Sequence, residues 1–473
     1  MGRTSVHLSA DGGTNSQLAG KLLNCLASVA NLPLAHGLLY LDTTVPCSLA
    51  STGCRITHLA RLAERKGLLD IRTRRVSLTM FRTHFLFMLA VIVGMAAANV
   101  SFATAPAGAS STASTPTQDK SPMMSRDEVT RILQSNRKIV SPGGVDEMIK
   151  VRINGIDQWL SIRGKDRRNP ILLFLHGGPA SPAMPEAYTF QTPWEDYFTV
   201  VQWDQRGSGK TYEANTEQAM APGMTVDGMT DDAAHVVQYL REHYGKQKIF
   251  LLGHSWGTVL GVHLAQLHPD WFYAYISVGQ VVNGRHNEEV GYAFALREAI
   301  THGNEQAIRE LKAMAPYPGP KLTLDNIGVR SKWEMYYGGL AYGRQDYQFE
   351  DDAESLSPDY SKADLAAIGK GSLFSLNHLL QPLLAVDFDH TTHFDCPVIV
   401  FVGQHDYTTA HELTEKWFGD IQAPSKRLVM FADSAHMIMQ EQPGRFLMHL
   451  VTDVLPLAQK AGDMAPAEVT RDQ

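Results

Sequence analysis

The chain has 473 residues, enough for about two or three domains, and its 44% hydrophobic and 19% charged residues are typical of a globular protein with a sizeable core. The formal net charge of −7 comes without a block of Lys and Arg residues. This pattern excludes a basic face for nucleic acid and favours a small molecule or short peptide as partner. Cys25, Cys47 and Cys54 lie near the start and only Cys396 in the rest, so no disulfide framework is predicted.

The stretch that begins at Met80 has the order of charges and apolar residues of a secretory signal peptide. Arg82 and His84 precede a nearly continuous apolar run from Phe85 to Ala98, and small residues follow it. These features predict a signal peptide over residues 80–103 and export to a periplasm or the exterior. An uncleaved membrane anchor is the alternative, because the run is near the short end for a span. Without such an anchor we expect no stable membrane association.

Two segments beside the signal peptide show no core pattern. Residues 1–79 lack helical or strand periodicity, and we expect them to be unstructured or a misassigned segment upstream of the true start. Residues 104–124 are rich in Ala, Ser, Thr and Pro, which predicts a disordered linker.

Strands alternate with helices from about Ser125 onward. The predicted strands are Glu147 to Ile153, Ile156 to Ile162, Ile171 to Leu175, Phe198 to Trp203, Ile249 to Leu252, Ala274 to Val278, Pro397 to Val402 and Arg427 to Phe431. The predicted helices of this part are Arg126 to Gln134, Thr230 to Tyr244, one that follows Ser255, and Glu441 to Leu455. Asn154-Gly155 between the first two strands predicts a hairpin. The later strands are apolar throughout, which predicts a mostly parallel α/β sheet with helices on both faces.

The middle of the chain, residues 283–390, lacks strand signals. Its amphipathic runs predict helices over Glu288 to Thr301, Glu305 to Met314, Leu324 to Tyr337 and Lys362 to Leu380. We therefore predict a helical cap inserted into a sheet domain. The sheet domain then comprises residues 125–282 and 391–460, and residues 461–473 form a tail.

Ser255 lies where a buried strand changes into a helix. The sequence Gly253-His254-Ser255-Trp256-Gly257 follows the apolar run that begins at Ile249. Glycines on both sides of the serine remove side chains that would collide with the strand and the helix, so the hydroxyl is held out of the sheet. The helix N-terminus faces the same point and favours an anion there. An ordinary Gly/Ser turn is the alternative.

Asp406 and His436 each follow one of the last two predicted strands. The chain order Ser255, Asp406, His436, with each residue in the loop after a strand, is that of the α/β-hydrolase fold. Such loops meet at the carboxyl edge of the sheet. We predict that Ser255 is the nucleophile, His436 its base and Asp406 the acid that orients the histidine. The alternatives are a cap for the helix after Asp406 and a surface position for His436.

An oxyanion also needs hydrogen-bond donors. The loop after Leu175 carries Gly177 and Gly178, whose backbone could present one N–H, and the N–H of Trp256 would be the other. His254 and His405 are interpreted as structural neighbours. Asp231 and Asp232 are interpreted as first-turn helix acids.

One further group of residue types suggests a metal. Its members precede the strand that begins at Pro397 and are Asp387, Asp389, His390, His393, Asp395 and Cys396. Polar residues are also ordinary where a chain enters a sheet, and a closed metal site needs matched ligand geometry. We predict no metal and no cofactor, and keep the metal cluster as the alternative.

Several motifs resemble prolyl iminopeptidases and their relatives among the α/β-hydrolases. They are HGGP at 176–179, WDQRGSGKT at 203–211, GHSWGT at 253–258 and the loops of Asp406 and His436, and the similarity runs from about Ser125 to Leu457. The resemblance implies the same three catalytic residues, oxyanion donors at Gly178 and Trp256, and a cap that supplies acids for the free amino group of an N-terminal proline.

The sequence departs from this family in the first loop, at the serine turn and in the cap. Ala180 and His254 stand where glycine is usual, and Arg330 replaces the first Trp of the cap motif, of which Trp333-Glu334 remains. The resemblance makes Glu334, with Trp333 beside it, a candidate amine anchor, and a helix-surface acid is the alternative.

The function predicted from all this is a serine hydrolase that acts through an acyl-enzyme and releases N-terminal proline. The alternatives are an esterase, lactonase or amidase with the same residues, and a homologue that binds ligand without turnover. The sequence leaves the oligomeric state open.

Overall fold

The computed structural model describes residues 124–320 and 322–466, and within them one eight-stranded sheet forms the centre of the fold. Its strands are β1 (Val145–Ile153), β2 (Ile156–Gly164), β3 (Ile171–Leu175), β4 (Thr199–Asp204), β5 (Ile249–His254), β6 (Phe272–Val278), β7 (Val398–Gly403) and β8 (Lys426–Phe431). The strand order is β1-β2-β4-β3-β5-β6-β7-β8. The pairs β1·β2 and β2·β4 are antiparallel and the remaining pairs are parallel. The predicted mostly parallel sheet is confirmed.

The hairpin between β1 and β2 turns at Asn154-Gly155, as predicted. Both residues have positive φ, 45° and 82°, which is the geometry that a two-residue type I′ turn requires. Ile153 therefore pairs with Ile156, and the register continues to Val145 opposite Gly164.

Helices cover both faces of the sheet. They are α1 (Arg126–Asn136), α2 (Gly209–Glu213), α3 (Glu217–Met220), α4 (Val226–Tyr244), α5 (Trp256–Leu267), α6 (Gly284–Thr301), α7 (Glu305–Lys312), α8 (Leu324–Tyr336), α9 (Gln348–Ser355), α10 (Lys362–Leu384), α11 (His411–Asp420), α12 (Ile438–Glu441), α13 (Pro443–His449) and α14 (Leu455–Lys460). Alternate residues of β3 divide between two cores, as the two-residue period of a strand requires. Leu173 packs with α4 and α5, whereas Phe174 packs with the C-terminal helices.

Helices α6 to α10 fill the predicted cap segment, residues 283–390, and no strand of the sheet lies among its described residues. Part of the cap has an apolar core of its own, in which Trp333 packs against Ala295, Ala299, Ala307 and Leu311. Helix α9 was not predicted, because its sequence QFEDDAES carries too few apolar residues for a helical period.

Two predicted helices differ from the observed ones. The single helix expected over Glu441 to Leu455 is broken into α12, α13, a π-helical turn over Leu450–Val454, and α14. Pro443 and Pro456 lie in the first turns of α13 and α14, where proline starts a helix more readily than it continues one. Helix α4 begins at Val226, because the Thr225 side chain caps the Gly228 N–H.

This earlier start corrects the interpretation of Asp231 and Asp232, which lie in the second turn of α4. Asp232 is buried, and its two carboxylate oxygens accept hydrogen bonds from Arg206 Nε at 2.7 Å and Arg206 Nη2 at 3.0 Å. Asp231 is exposed. Asp232 therefore holds the loop after β4 against the helix.

Asp232→Ala is expected to lower the free energy of unfolding by about 3–5 kcal/mol, because it leaves the buried Arg206 charge without a partner. Asp231→Ala is the matched control, with an expected loss under about 1 kcal/mol since its side chain is 61% exposed. Urea denaturation measures both values. Equal losses for the two variants would show that the Arg206–Asp232 pair contributes nothing.

The predictions for the N-terminal part fall on undescribed residues. Residues 1–79, the signal peptide over 80–103 and nearly all of the linker over 104–124 lie outside the described ranges, as do residues 467–473 of the tail. Export therefore stays a prediction. Among the helices in residues 124–320 and 322–466, none combines the length and the apolarity needed to cross a membrane.

Candidate active site

Ser255 occupies a sharp turn between β5 and α5. Its backbone has φ 54° and ψ −122°, a conformation that side-chain-bearing residues rarely adopt outside functional sites. The flanking glycines permit this turn. A Cβ at Gly257 would lie 2.0 Å from the Leu175 carbonyl oxygen, and one at Gly253 would lie 2.6 Å from the Gly257 carbonyl oxygen. Hence both positions exclude any side chain.

Asp406 and His436 come together from the loops after β7 and β8. His436 Nδ1 lies 2.8 Å from Asp406 Oδ2, and both side chains are buried. At 3% exposure, His436 is not a surface residue. The cap alternative for Asp406 also fails, because α11 begins at His411 with Ala410 at its N-cap.

Thr409 completes this pair and was missed by the sequence analysis. Its backbone N–H donates to Asp406 Oδ1 at 2.8 Å and its hydroxyl donates to Asp406 Oδ2 at 3.0 Å. The Asp406 carboxylate is thereby fixed while Oδ2 still accepts from His436 Nδ1, which leaves His436 Nε2 as the basic nitrogen. The spacing of an Asp and a Thr three residues later is typical of a local side-chain turn and is the only sequence signal for this contact.

Ser255 and His436 line one cavity of about 280 Å³, together with Gly177 and Gly178. Among the described residues, no hydrogen bond joins the Ser255 hydroxyl to another group. The hydrogen bond between a nucleophile and its base often tightens only when substrate is bound. The structure therefore brings the three predicted residues to one edge of the sheet, with the serine and the histidine facing a shared space.

The two predicted oxyanion donors lie on either side of the serine turn. Gly178 lines the cavity with a φ of 112°, and Trp256 is the first residue of α5, so its N–H has no acceptor within the helix. The Trp256 indole is buried and donates to Gln205 Oε1 at 3.1 Å. The Trp256 side chain is thus engaged with the loop after β4, and the role of the Trp256 N–H as an oxyanion donor stays a prediction.

His176 holds the loop that carries Gly178. Its Nδ1 donates to the Gly177 carbonyl oxygen at 2.9 Å, while its Nε2 accepts the Gln205 N–H at 3.2 Å. Burial lowers the pKa of His176 to about 4, so the imidazole is neutral. Gln205, from the DQRGSG motif, also donates to the His176 carbonyl oxygen at 3.0 Å. The HGGP and DQRGSG motifs therefore support each other.

The two departures from the family's glycines have different consequences. Ala180 keeps the left-handed conformation that glycine would adopt, with φ 61°, at a cost of about 1–2 kcal/mol. His254 adds a ring that packs 4.7 Å from the ring of His436 and donates from Nε2 to the His436 carbonyl oxygen at 3.1 Å. Burial lowers the pKa of His254 to about 3, so this neighbour is neutral. His405 stacks on Tyr342, away from the cavity lining.

Trp333 and Glu334, the predicted substrate-binding residues, do not line this cavity. Trp333 belongs to the cap's apolar core, and its indole donates to Glu310 at 2.8 Å. Glu334 is 2% exposed, which excludes the helix-surface alternative. Its carboxylate pairs with Arg330 and accepts the Thr408 hydroxyl. Arg330, which replaced the family's Trp, is thus shared between Glu334 and Glu288, whose Oε2 accepts from Arg330 Nε at 3.1 Å.

The cap is joined to the loops of the site by backbone hydrogen bonds. The carbonyl oxygens of Gly339 and Leu340, which follow α8, accept the N–H groups of Tyr407 at 3.1 Å and His436 at 2.9 Å. Leu340 also lines the cavity. The position of His436 therefore depends on the cap as well as on the sheet.

The residues proposed as a metal cluster do not assemble. Among the described residues, no group of three or more His, Cys, Asp or Glu side chains is placed to hold a metal ion. Asp389 accepts a hydrogen bond from Asn283, His393 pairs with Asp395 at the surface, and Cys396 is buried in the core. The metal-cluster alternative is therefore wrong for these residues.

Two acids that the sequence analysis missed line the same cavity as Ser255. Glu186 lies in the loop between β3 and β4, and Glu354 lies on the cap helix α9. Neither lies in a recognisable motif, and α9 itself was not predicted. Only the tertiary structure brings them to the cavity.

The fold and the strand-end loops define the class, and the chain belongs to the α/β hydrolase fold family, which it matches over residues 170–443. The "Probable aminopeptidase YbaC" of Bacillus subtilis (strain 168) is 32% identical over 300 residues, which cover 63% of this chain and 93% of that protein. The proline iminopeptidase of Neisseria gonorrhoeae is 35% identical over 99 residues, 21% of this chain and 29% of that protein.

A solved structure is similar over a larger part of the chain. The crystal structure of the proline iminopeptidase of Mycobacterium smegmatis is 19% identical, with a TM-score of 0.49, over 67% of this chain and 100% of that chain. The family match confirms the predicted α/β-hydrolase fold, and the relatives from Bacillus subtilis and Neisseria gonorrhoeae confirm the resemblance to prolyl iminopeptidases.

Proposed function

We propose that the protein is a serine hydrolase that forms an acyl-enzyme at Ser255. The observation that carries this proposal is the 2.8 Å contact between Asp406 and His436 at the cavity onto which Ser255 opens. Asp406 holds the Nδ1–H tautomer of His436, so Nε2 takes the proton of the Ser255 hydroxyl as its oxygen attacks the acyl carbon. The same nitrogen then returns the proton to the leaving group.

The negative charge that forms on the acyl oxygen is stabilised by the N–H groups of Gly178 and Trp256. Each such donor contributes about 3 kcal/mol to lowering the barrier in enzymes of this kind. The N-terminus of α5 adds its positive dipole end. Water then attacks the acyl-Ser255 carbonyl with His436 again as base, and the free acid leaves.

For the substrate we propose an N-terminal residue, proline above all, released from a peptide or amide. The cavity of about 280 Å³ lies at the lower end of the usual range of about 300–1,000 Å³ for ligand pockets and is large enough for an acyl group of one residue. The names of the related aminopeptidase and proline iminopeptidase support the same reading. Small esters and lactones are the second candidates, since they also present a short acyl group.

A fluorophosphonate probe is expected to label Ser255 in the full chain, as detected by peptide mass spectrometry, because this hydroxyl is the activated one. A substrate panel then compares prolyl and alanyl naphthylamides with nitrophenyl acetate. Turnover of the nitrophenyl ester alone would leave a hydrolase but end the aminopeptidase proposal. Absence of both labelling and turnover would instead favour a protein that binds ligand without catalysis.

A further inference from the structure

Glu186 and Glu354 approach the cavity from the two parts of the fold. Glu186 comes from the sheet domain and Glu354 from the cap, and both line the cavity onto which Ser255 opens. An acyl group attached to Ser255 would therefore lie in the same small space as two carboxylates.

The carboxylate of Glu186 is buried and incompletely bonded. The residue is 6% exposed, and its Oε1 accepts a hydrogen bond from Gln440 Nε2 at 3.0 Å. Its Oε2 is buried and has no hydrogen-bond partner among the described residues. A buried acceptor without a partner carries a free-energy cost that a bound donor would remove.

Nearby cations do not compensate these acids. Arg344, which lies close enough to act on Glu186, is paired with Glu350 at 2.7 Å. Glu354 makes no ion pair and no side-chain hydrogen bond within residues 124–320 and 322–466. Tyr347, which precedes α9 and lines the cavity, is a neutral phenol. The described residues that line the cavity therefore include two acids and no Lys or Arg.

The pKa values of Glu186 and Glu354 are consistent with two acids that lie close together in a buried space. Burial, followed by the charges of Glu354 and Glu350, raises the pKa of Glu186 to about 8. Burial, followed by the charges of Asp351 and Glu350, raises the pKa of Glu354 to about 7. Each ionised form would be stabilised by a cation placed between them, as an opposite charge nearby favours the charged state of an acid.

We propose that Glu186 and Glu354 together bind the ammonium group of the substrate's N-terminal residue and so select substrates with a free amine. This inference rests on the proposed function. A prolyl ammonium carries two N–H donors, and two carboxylates, one from the sheet domain and one from the cap, would supply an acceptor for each. The subsite differs from the one predicted at Glu334, which pairs with Arg330 and does not line the cavity.

The test uses two substrates that differ only in the amine. Prolyl-β-naphthylamide and cyclopentanecarbonyl-β-naphthylamide have the same ring size and leaving group, so the ratio of their kcat/KM values measures amine selection alone. We expect the wild-type protein to favour the prolyl compound. Glu186→Gln and Glu354→Gln should each reduce this ratio by about 10- to 100-fold, mainly through KM, because each removes a charged hydrogen-bond acceptor without changing the side-chain size.

The matched control is Asp352→Asn, which removes one negative charge from the exposed side of the same helix, α9, and should leave the ratio unchanged. Turnover of nitrophenyl acetate, which has no amine, should persist in all three variants and shows that they are folded. A wild-type preference for the prolyl compound that survives both glutamine variants would overturn the subsite while leaving the aminopeptidase intact. A loss of the ratio in Glu334→Gln alone would return the role to that residue. Failure of the wild-type protein to release proline would instead reject the proposed function.

Discussion

Ser255→Ala is expected to lower kcat for the best substrate by about a million-fold, the loss that removal of the nucleophile causes in a serine protease. The turn between β5 and α5 holds this hydroxyl at the cavity that His436 and Gly178 also line. The activity that remains should exceed the uncatalysed rate, since binding and the donors of Gly178 and Trp256 are retained. Stopped assays over long incubation times, with active-site titration of the wild-type protein, measure the difference.

Ser181→Ala is the matched control, because Ser181 lines the same cavity and has no assigned role. We expect its kcat to stay within about tenfold of the wild-type value, as is usual for a substitution that removes no buried partner. Activity of Ser255→Ala within tenfold of wild type, on protein free of contaminating hydrolase, would reject the acyl-enzyme mechanism. Equal losses in the two variants would point to damage of the cavity instead.

Asp406→Asn is expected to lower kcat by about ten thousand-fold, because the amide favours the wrong tautomer of His436 and leaves Nε2 without its basic lone pair. Asparagine has nearly the same shape as aspartate, and the contacts with Thr409 and His436 hold both oxygens of Asp406 in place. The substitution therefore tests the charge and the tautomer rather than the position of the side chain. The pH dependence of kcat/KM, together with the rate of fluorophosphonate labelling, measures the loss of the base.

Thr409→Val provides the comparison, because it keeps the Asp406 carboxylate and removes only the hydroxyl that donates to Asp406 Oδ2 and lies 3.2 Å from His436 Nδ1. Loss of one hydrogen bond to a charged group should reduce kcat by about 10- to 100-fold, well below the effect of Asp406→Asn. A variant Asp406→Asn that keeps a tenth of the wild-type activity would show that another group orients His436. A larger loss of kcat in Thr409→Val than in Asp406→Asn would likewise show that Asp406 is not the main group that orients His436.

The sheet and the three residues at its edge could be predicted because their signals are local. Apolar runs of strand length, each followed by a polar loop, place Ser255, Asp406 and His436 after β5, β7 and β8 of the parallel part of the sheet. The glycines beside Ser255 added a steric reason that the structure bears out at Gly257. Such features depend on the backbone period and on turn chemistry, which the sequence carries directly.

The features that could not be predicted depend on contacts between distant parts of the chain. Glu186 and Glu354 lie far apart in the sequence, and nothing in the sequence around either residue indicates a shared cavity. Asp232 and Asp231 look alike in sequence, yet only one faces Arg206. The resemblance to a family directed attention to Trp333 and Glu334, and it missed that Arg330 would form an ion pair within the cap.

The hydrogen bond from the His436 backbone to the Leu340 carbonyl oxygen restricts how the protein admits its substrate. If the whole cap moved away from the sheet domain as a rigid body, it would pull on the loop that carries His436 and separate His436 from Asp406. A cap movement that keeps His436 beside Asp406 would therefore have to leave Leu340 in place.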